Sequence, residues 1–289
     1  MNYNTPGKIA AEFNKSAEYK NGLPADKLLV YSVLGGAFIA LGGLLSLMVA
    51  GGMPGIAASN PGIYKFVFGA LFPLGLVLVV IGGAELFTSD CAVIPFGILN
   101  RRVPVKSLAR VWTIAYGGNF IGALIVAYLF AHQTGILHAD PWLSAAQKIG
   151  TYKTSGTFTE VFVKGIGANW LVCMAVWLAY GARDVIGKVV ALWFPVMCFV
   201  AFGFEHSIAN MFFIPTAIFS GASISLYDFL VVNLLPATLG NIVGGALFVA
   251  LPYWYMFRTE GTEERTTIEL VNEEVEGFTD PEFINKHLN

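Results

Sequence analysis

Residues 83–95 read GAELFTSDCAVIP, and residues 203–215 read GFEHSIANMFFIP. Each stretch sets a glutamate and further polar side chains inside a run that is otherwise apolar. The first run extends from about Tyr64 to Leu99, the second from about Val189 past Pro215. Both exceed the roughly 20 residues that one bilayer crossing needs. A helix interrupted at membrane depth leaves backbone N–H and C=O groups unpaired. That is tolerated only where the backbone is buried in protein or lines a watery cavity. Both interruptions are therefore expected to face the protein interior.

Four uninterrupted apolar runs surround these two: about Leu28–Val49, Leu108–Phe130, Phe158–Tyr180 and Phe229–Phe257. Only 12% of the residues are charged and 56% are hydrophobic. A water-soluble domain carries roughly 25% charged residues, so lipid is the expected solvent for most of this surface. The sequence predicts an all-α membrane protein with six transmembrane helices, the second and fifth broken. Without a basic stripe or a nucleic-acid motif, nucleic acid is not an expected partner. Cys91, Cys173 and Cys198 form no C-x-x-C pair and read as small buried side chains. No metal or other cofactor is expected. Residues 1–27 are mostly polar and contain no apolar core of a signal peptide.

The two halves echo each other. Residues 118–124 read GNFIGAL, and residues 240–247 read GNIVGGAL. Asn119 follows Glu85 by 34 positions, and Asn241 follows Glu205 by 36. Each half thus holds a plain span, a broken span with an internal glutamate, and a span with a Gly-Asn pair. With three spans per half, the second half must enter from the opposite side. The expected architecture is a 3+3 inverted repeat, which places a site near the midplane between repeats. Small residues also let membrane helices approach closely, so the glycines serve packing as well.

Orientation follows basic residues in short loops. Arg101, Arg102, Lys106 and Arg110 lie between spans two and three, and Arg183 and Lys188 between four and five. Lys8, Lys15, Lys20 and Lys27 precede span one. The opposite loops hold Lys65, Lys148 and Lys153. Both termini are expected on the cytoplasmic side of the cytoplasmic membrane. Ile9, Phe13 and Ala17 at helical spacing predict a short amphipathic helix at the membrane surface. The expected organisation is a cytoplasmic amphipathic segment (1–27), a six-helix channel domain (28–258) and an acidic cytoplasmic tail (259–289), loosely ordered by composition.

Ionisable groups inside spans are few, and each is a functional candidate. His206 can be neutral or charged near physiological pH, so it can donate to an anion or pass a proton. The plainer alternative is a histidine bonded to a neighbouring carbonyl. Glu85 and Glu205 hold matching places, which argues for structural work such as accepting the N–H groups that each break frees. Thr88 and Ser89 offer hydroxyls at the first break, and Asn210 follows the second. Helix N-termini made by such breaks carry partial positive charge and suit anions. A bare carboxylate pays about 20 kcal/mol, by the idealised Born estimate, on entering a low-dielectric medium. Passage then requires a line of donors or protonation in transit. Phe72, Leu76, Leu86 and Phe199 flank the breaks as candidate apolar constrictions or ordinary packing.

Four segments carry a family resemblance: GFEHSIANMF (Gly203–Phe212), ELFTS (Glu85–Ser89), NWLVCMAVW (Asn169–Trp177) and GNIVGG (Gly240–Gly245). Together they resemble the formate/nitrite transporter family over about residues 5–258. The resemblance implies an aquaporin-like six-helix fold, a homopentamer with a pore in each protomer, and passage of formate, nitrite, hydrosulfide or lactate. It places the family's central histidine at His206 and the facing threonine at Thr88. It places the constriction at Phe72, Leu76, Leu86 and Phe199, and polar positions at Asn169 and Asn241. It puts the anion-attracting lysine of the outer vestibule at Lys153, with Lys164 as a rival. Glu85 stands where the family often has Asp. The expected function is membrane transport of formate, as a channel or a proton-coupled transporter whose central His206 relays a proton to the anion or binds it, with protons as a partner and no enzymatic chemistry. Nitrite or hydrosulfide on the same fold, and a water- or glycerol-type channel, are the alternatives. The last lacks its paired Asn-Pro-Ala motif here, and an intramembrane enzyme lacks a zinc or nucleophile motif.

Overall fold

The computed structural model of the chain describes residues 3–258. The acidic tail expected over 259–289 lies outside the described residues. The helices are α1 (Pro6–Gly22), α2 (Ala25–Gly51), α3 (Pro54–Ser59), α4 (Pro61–Leu71), α5 (Leu74–Gly82), α6 (Phe87–Leu99) and α7 (Lys106–Ile125). They continue with α8 (Trp142–Lys153), α9 (Phe158–Gly181), α10 (Val185–Phe202), α11 (Ser207–Phe219), α12 (Leu235–Gly245) and α13 (Leu251–Phe257). Turns of π-helix extend α7 over Val126–Gln133 and flank α12 at Asp228–Leu234 and Ala246–Ala250.

Six of these segments are long and apolar enough to cross a membrane among the described residues. They are Ala25–Gly51, Pro61–Gly82, Lys106–Gln133, Phe158–Gly181, Val185–Phe202 and Asp228–Phe257. Lipid offers no hydrogen bonds, so a crossing segment must satisfy its backbone internally, and a helix does so. The helix ends are written locally. Thr157 and Glu160 form a reciprocal capping box at the start of α9, and Asp184 caps α10 by accepting from Gly187 N–H. Helices α5 and α10 stop at Gly83 (φ 81°) and Gly203 (φ 74°). That left-handed backbone carries little cost only for glycine.

Two helix pairs are packed backbone to backbone: α2 with α7, and α9 with α12. A Cβ on Gly36 would overlap the Asn119 carbonyl, and one on Gly122 would overlap the Val33 carbonyl. In the other pair, a Cβ on Gly240 would overlap the Phe162 carbonyl. Between membrane helices such close van der Waals packing supplies the attraction that hydrophobicity gives in water.

The 13-residue helices α6 and α11 are enclosed by the rest. Residues Ser207–Ala217 of α11 are all buried, as are Phe87–Ile94 of α6. Helix α1 lies across one end of the bundle and buries Ile9, Ala10, Phe13 and Ala17. The Phe13 ring packs on Trp177, Tyr180 and Phe96 at centroid distances of 4.9, 5.4 and 5.7 Å. At the other end sits α8, where the sequence reading expects only a loop. Its polar face and modest length hide it from a search for spans. It is anchored by Trp142, whose indole N–H donates to the Met48 carbonyl at 2.8 Å.

Candidate functional site

Residues 83–86 and 203–206 connect α5 to α6 and α10 to α11 without helical geometry. Their backbone groups are served by two asparagines at matching places. Asn119 Nδ2 donates to the carbonyls of Ser32 (2.6 Å) and Glu85 (2.9 Å), while its Oδ1 accepts from Phe87 N–H (2.9 Å). Asn241 Nδ2 donates to the carbonyls of Gly165 (2.8 Å) and Glu205 (2.9 Å), while its Oδ1 accepts from Ser207 N–H (2.8 Å). Both asparagines are fully buried. An amide suits this work because it donates and accepts at once.

The expectation that the glutamates take up freed N–H groups holds for Glu85 at Leu86 N–H, while Glu205 serves side chains instead. Glu85 accepts from Leu86 N–H at 3.2 Å, but its main partner is Lys20, which also bonds Asp90 at 2.6 Å. Glu205 accepts from Lys153 Nζ at 3.1 Å, Asn210 Nδ2 at 2.7 Å and Asn233 Nδ2 at 3.3 Å. A carboxylate only accepts, so the glutamates cannot serve the freed carbonyls, and they also hold cations. Lys20 comes from α1 and Lys153 from α8, so each end helix sends one ammonium inward. Burial draws the Lys20 pKa down, but Asp90 and Glu85 beside it raise it further, and the net shift is upward. Lys20 therefore stays charged.

Between the two links, Thr88 Oγ1 lies 3.0 Å from His206 Nε2. His206 Nδ1 accepts from Ala209 N–H at 3.1 Å and so caps α11. An accepting Nδ1 puts the proton of a neutral imidazole on Nε2. Nε2–H then donates to Thr88, whose own O–H remains available to a third group. The imidazole is stacked on the Phe199 ring at 5.7 Å and 20°. Asn169 Nδ2 holds the carbonyls of Thr88 (3.0 Å) and Asn241 (2.6 Å). Ser89 Oγ donates to the Leu86 carbonyl at 2.7 Å, so its hydroxyl is a local cap.

A cavity of about 680 Å³ opens on the α8 end and reaches His206. Its wall is largely apolar and includes the aromatic rings of Phe68, Phe72, Phe199 and Phe213. Lys65, Lys148 and Lys153 line it, with Asp140 as its acidic residue. Hydrogen bonds from Ser144 hold the Asp140 carboxyl below its usual pKa. Phe72 packs on Phe199 at 6.0 Å and on Phe213 at 6.2 Å. Leu76 and Leu86 are buried in the main core and are not on this wall. Thr88, Asn169 and Asn241 also lie off the wall, behind the histidine. Lys164, the rival vestibule lysine, lies over the Tyr152 ring with its Nζ 5.4 Å from the centroid.

The structure thus brings together His206, Thr88, Phe72, Phe199 and Lys153, and seats Asn169, Asn241, Asn210 and the glutamates behind them. Sequence reasoning missed Asn119, Lys20, Asp90, Asn233 and Phe213. Asn119 had a signal in the repeated Gly-Asn pair. Lys20 had none, because its partners lie 65 and 70 positions away.

Six apolar spans around a buried polar cluster, reached from a cation-lined cavity, describe a multi-pass membrane transport protein. The chain belongs to the formate/nitrite transporter family, whose sequence model matches residues 7–255. It is 46% identical over 272 residues to the "Probable formate transporter" of Methanothermobacter thermautotrophicus, covering 89% of this chain and 98% of that one. A solved "FNT family ion channel" superposes with a TM-score of 0.78 at 30% identity, covering 86% and 98% of the two chains. A "Pentameric formate channel with formate bound" superposes at 0.70 with 35% identity, covering 81% and 97%.

Proposed function

We propose that this protein carries formate across the cytoplasmic membrane as a homopentamer with one pathway per protomer. The observation that carries this reading is the Thr88–His206 pair, set between the N-termini of α6 and α11 at the end of the lysine-lined cavity. The names of the relatives at 46% and 35% identity support formate as the substrate and the pentamer as the assembly. We read the fold as a 3+3 inverted repeat, aquaporin-like, whose second and fifth helices are broken at 83–86 and 203–206. The paired roles of Asn119 and Asn241 support that reading. Residues 28–258 form the channel unit, preceded by a cytoplasmic surface segment (1–27) and followed by an acidic tail (259–289), with both termini cytoplasmic.

In this reading Lys153 draws the anion into the cavity, and Phe72 and Phe199 strip its water. Leu76 and Leu86 continue the apolar stretch beyond the histidine. The Thr88 O–H, freed by the Nε2–H of His206, then receives the anion. A proton taken up on the way lets it cross as the neutral acid, which avoids the roughly 20 kcal/mol Born cost of a bare carboxylate. Labelled-formate uptake into proteoliposomes, at several pH values and with nitrite and hydrosulfide as competitors, tests this. Saturable formate flux that equimolar competitors leave intact supports a dedicated formate route. Displacement by nitrite or hydrosulfide, or passage of glycerol without formate, reassigns the substrate. His206→Phe is expected to lower flux at least tenfold or to remove its pH dependence in assembled pentamers. Unchanged flux at every pH would remove the histidine from the mechanism.

A further inference from the structure

The two buried ion clusters differ by one group. At the α8 end, Lys153 faces one carboxylate, Glu205, whose remaining donors are the amides of Asn210 and Asn233. At the α1 end, Lys20 faces two carboxyl groups, Glu85 and Asp90. Asp90 follows Glu85 by five positions, as Asn210 follows Glu205. Asn210 Nδ2 donates to its glutamate. Asp90 stands in the same place and shares the Lys20 ammonium with Glu85, with no N–H to offer. It is fully buried, and its Oδ2 has no hydrogen-bond partner. Among the described residues, the other groups named around this cluster are not cations. Helix α1 brings Tyr19, α2 brings Tyr31, and α9 brings Cys173 and Tyr180. Helix α6 itself adds Cys91. From α7 the Trp112 indole donates to the Asp90 carbonyl, not to its side chain, and Tyr116 is bonded to Thr238 of α12. From α11, His206 is spent on Thr88, and from α13 the Tyr253 ring lies on Trp177.

We infer that Glu85 and Asp90 bind one proton between them, so that the α1 end of the pathway holds a titratable proton site that the α8 end lacks. Two buried carboxylates that share a single ammonium cannot both stay ionised without an unbalanced charge. A proton on Asp90 gives it the donor that Asn210 has by nature and restores the one-to-one charge balance of the other cluster. Loss of that proton leaves a net negative charge facing any anion that approaches from the α1 side. As far as it concerns transport, this rests on the proposed formate route, and it predicts that flux responds to pH more steeply at the α1 face than at the α8 face.

Infrared spectra of the purified, full-length protein in detergent, recorded at neutral pH without substrate, test the proton directly. We expect a carboxylic-acid C=O band that shifts in D2O and is lost in both Asp90→Asn and Glu85→Gln. Each variant keeps one carboxylate for Lys20, so both are expected to fold. Absence of the band in the unaltered protein, or its survival in both variants, overturns the inference. In proteoliposomes with formate, Asp90→Asn is expected to make the pH response of the two faces alike. A persisting difference between faces in Asp90→Asn, with flux intact, overturns the transport consequence. A band that behaves as expected in a protein that carries no formate leaves the proton site standing and instead removes the proposed substrate.

Discussion

Asn119 and Asn241 each hold two carbonyls and one N–H that the chain exposes on leaving a helix. Replacing Asn119 by Leu keeps the bulk and strands all three groups. An unsatisfied buried polar group costs about 1–3 kcal/mol, so Asn119→Leu is expected to lower the midpoint of thermal unfolding in detergent markedly. An unchanged midpoint would show that water reaches the link. Lys153 is tested in a different way. Removing one partner of a buried ion pair typically costs about 3–5 kcal/mol. Lys153→Met is therefore expected to destabilise strongly, and adding Glu205→Gln is expected to recover part of the loss. Strictly additive effects in that cycle would show that the pair is not coupled. The lysine and glutamate are separated by 52 positions, and this explains why their pairing is illegible in sequence. Position in a repeat is visible along the chain, whereas a partner on another helix is not.

At the scale of elements, the spans themselves are legible because lipid imposes both length and composition on them. The sequence places Leu28–Val49 where α2 runs over Ala25–Gly51, and Phe158–Tyr180 where α9 runs over Phe158–Gly181. Helix α8 is not legible that way, since its polar face and 12 residues match no span. The glycines that join α2 to α7 are visible as a motif, but their strictness is visible only in three dimensions. Gly122→Val would drive a branched side chain into the Val33 carbonyl. Overpacking costs about 1–3 kcal/mol even where neighbours can shift, and a backbone cannot shift as a side chain does. We expect little folded protein from Gly122→Val, measured as the monodisperse peak in size-exclusion chromatography. Helix α1 is held by Phe13 in its aromatic nest. Phe→Ala in a packed site costs about 3–5 kcal/mol. Phe13→Ala is therefore expected to speed proteolysis between α1 and α2 while the bundle stays intact.

For the whole molecule, the arrangement places one ammonium-bearing helix at each end and the Thr88–His206 pair between them. The enclosed helices α6 and α11 have a consequence for how the protein is made. Thirteen residues of helix rise about 20 Å, short of the roughly 30 Å hydrocarbon layer, and each has polar groups at its N-terminal end. Neither segment can be held by the bilayer alone. Both are expected to enter the membrane last, after the six long spans have been released by the insertion machinery and have closed around them. Ribosome-bound nascent chains that end near Phe257, with α11 clear of the ribosome and the last span still inside it, should then still expose α11 to a water-soluble label, a state that the finished protein no longer shows.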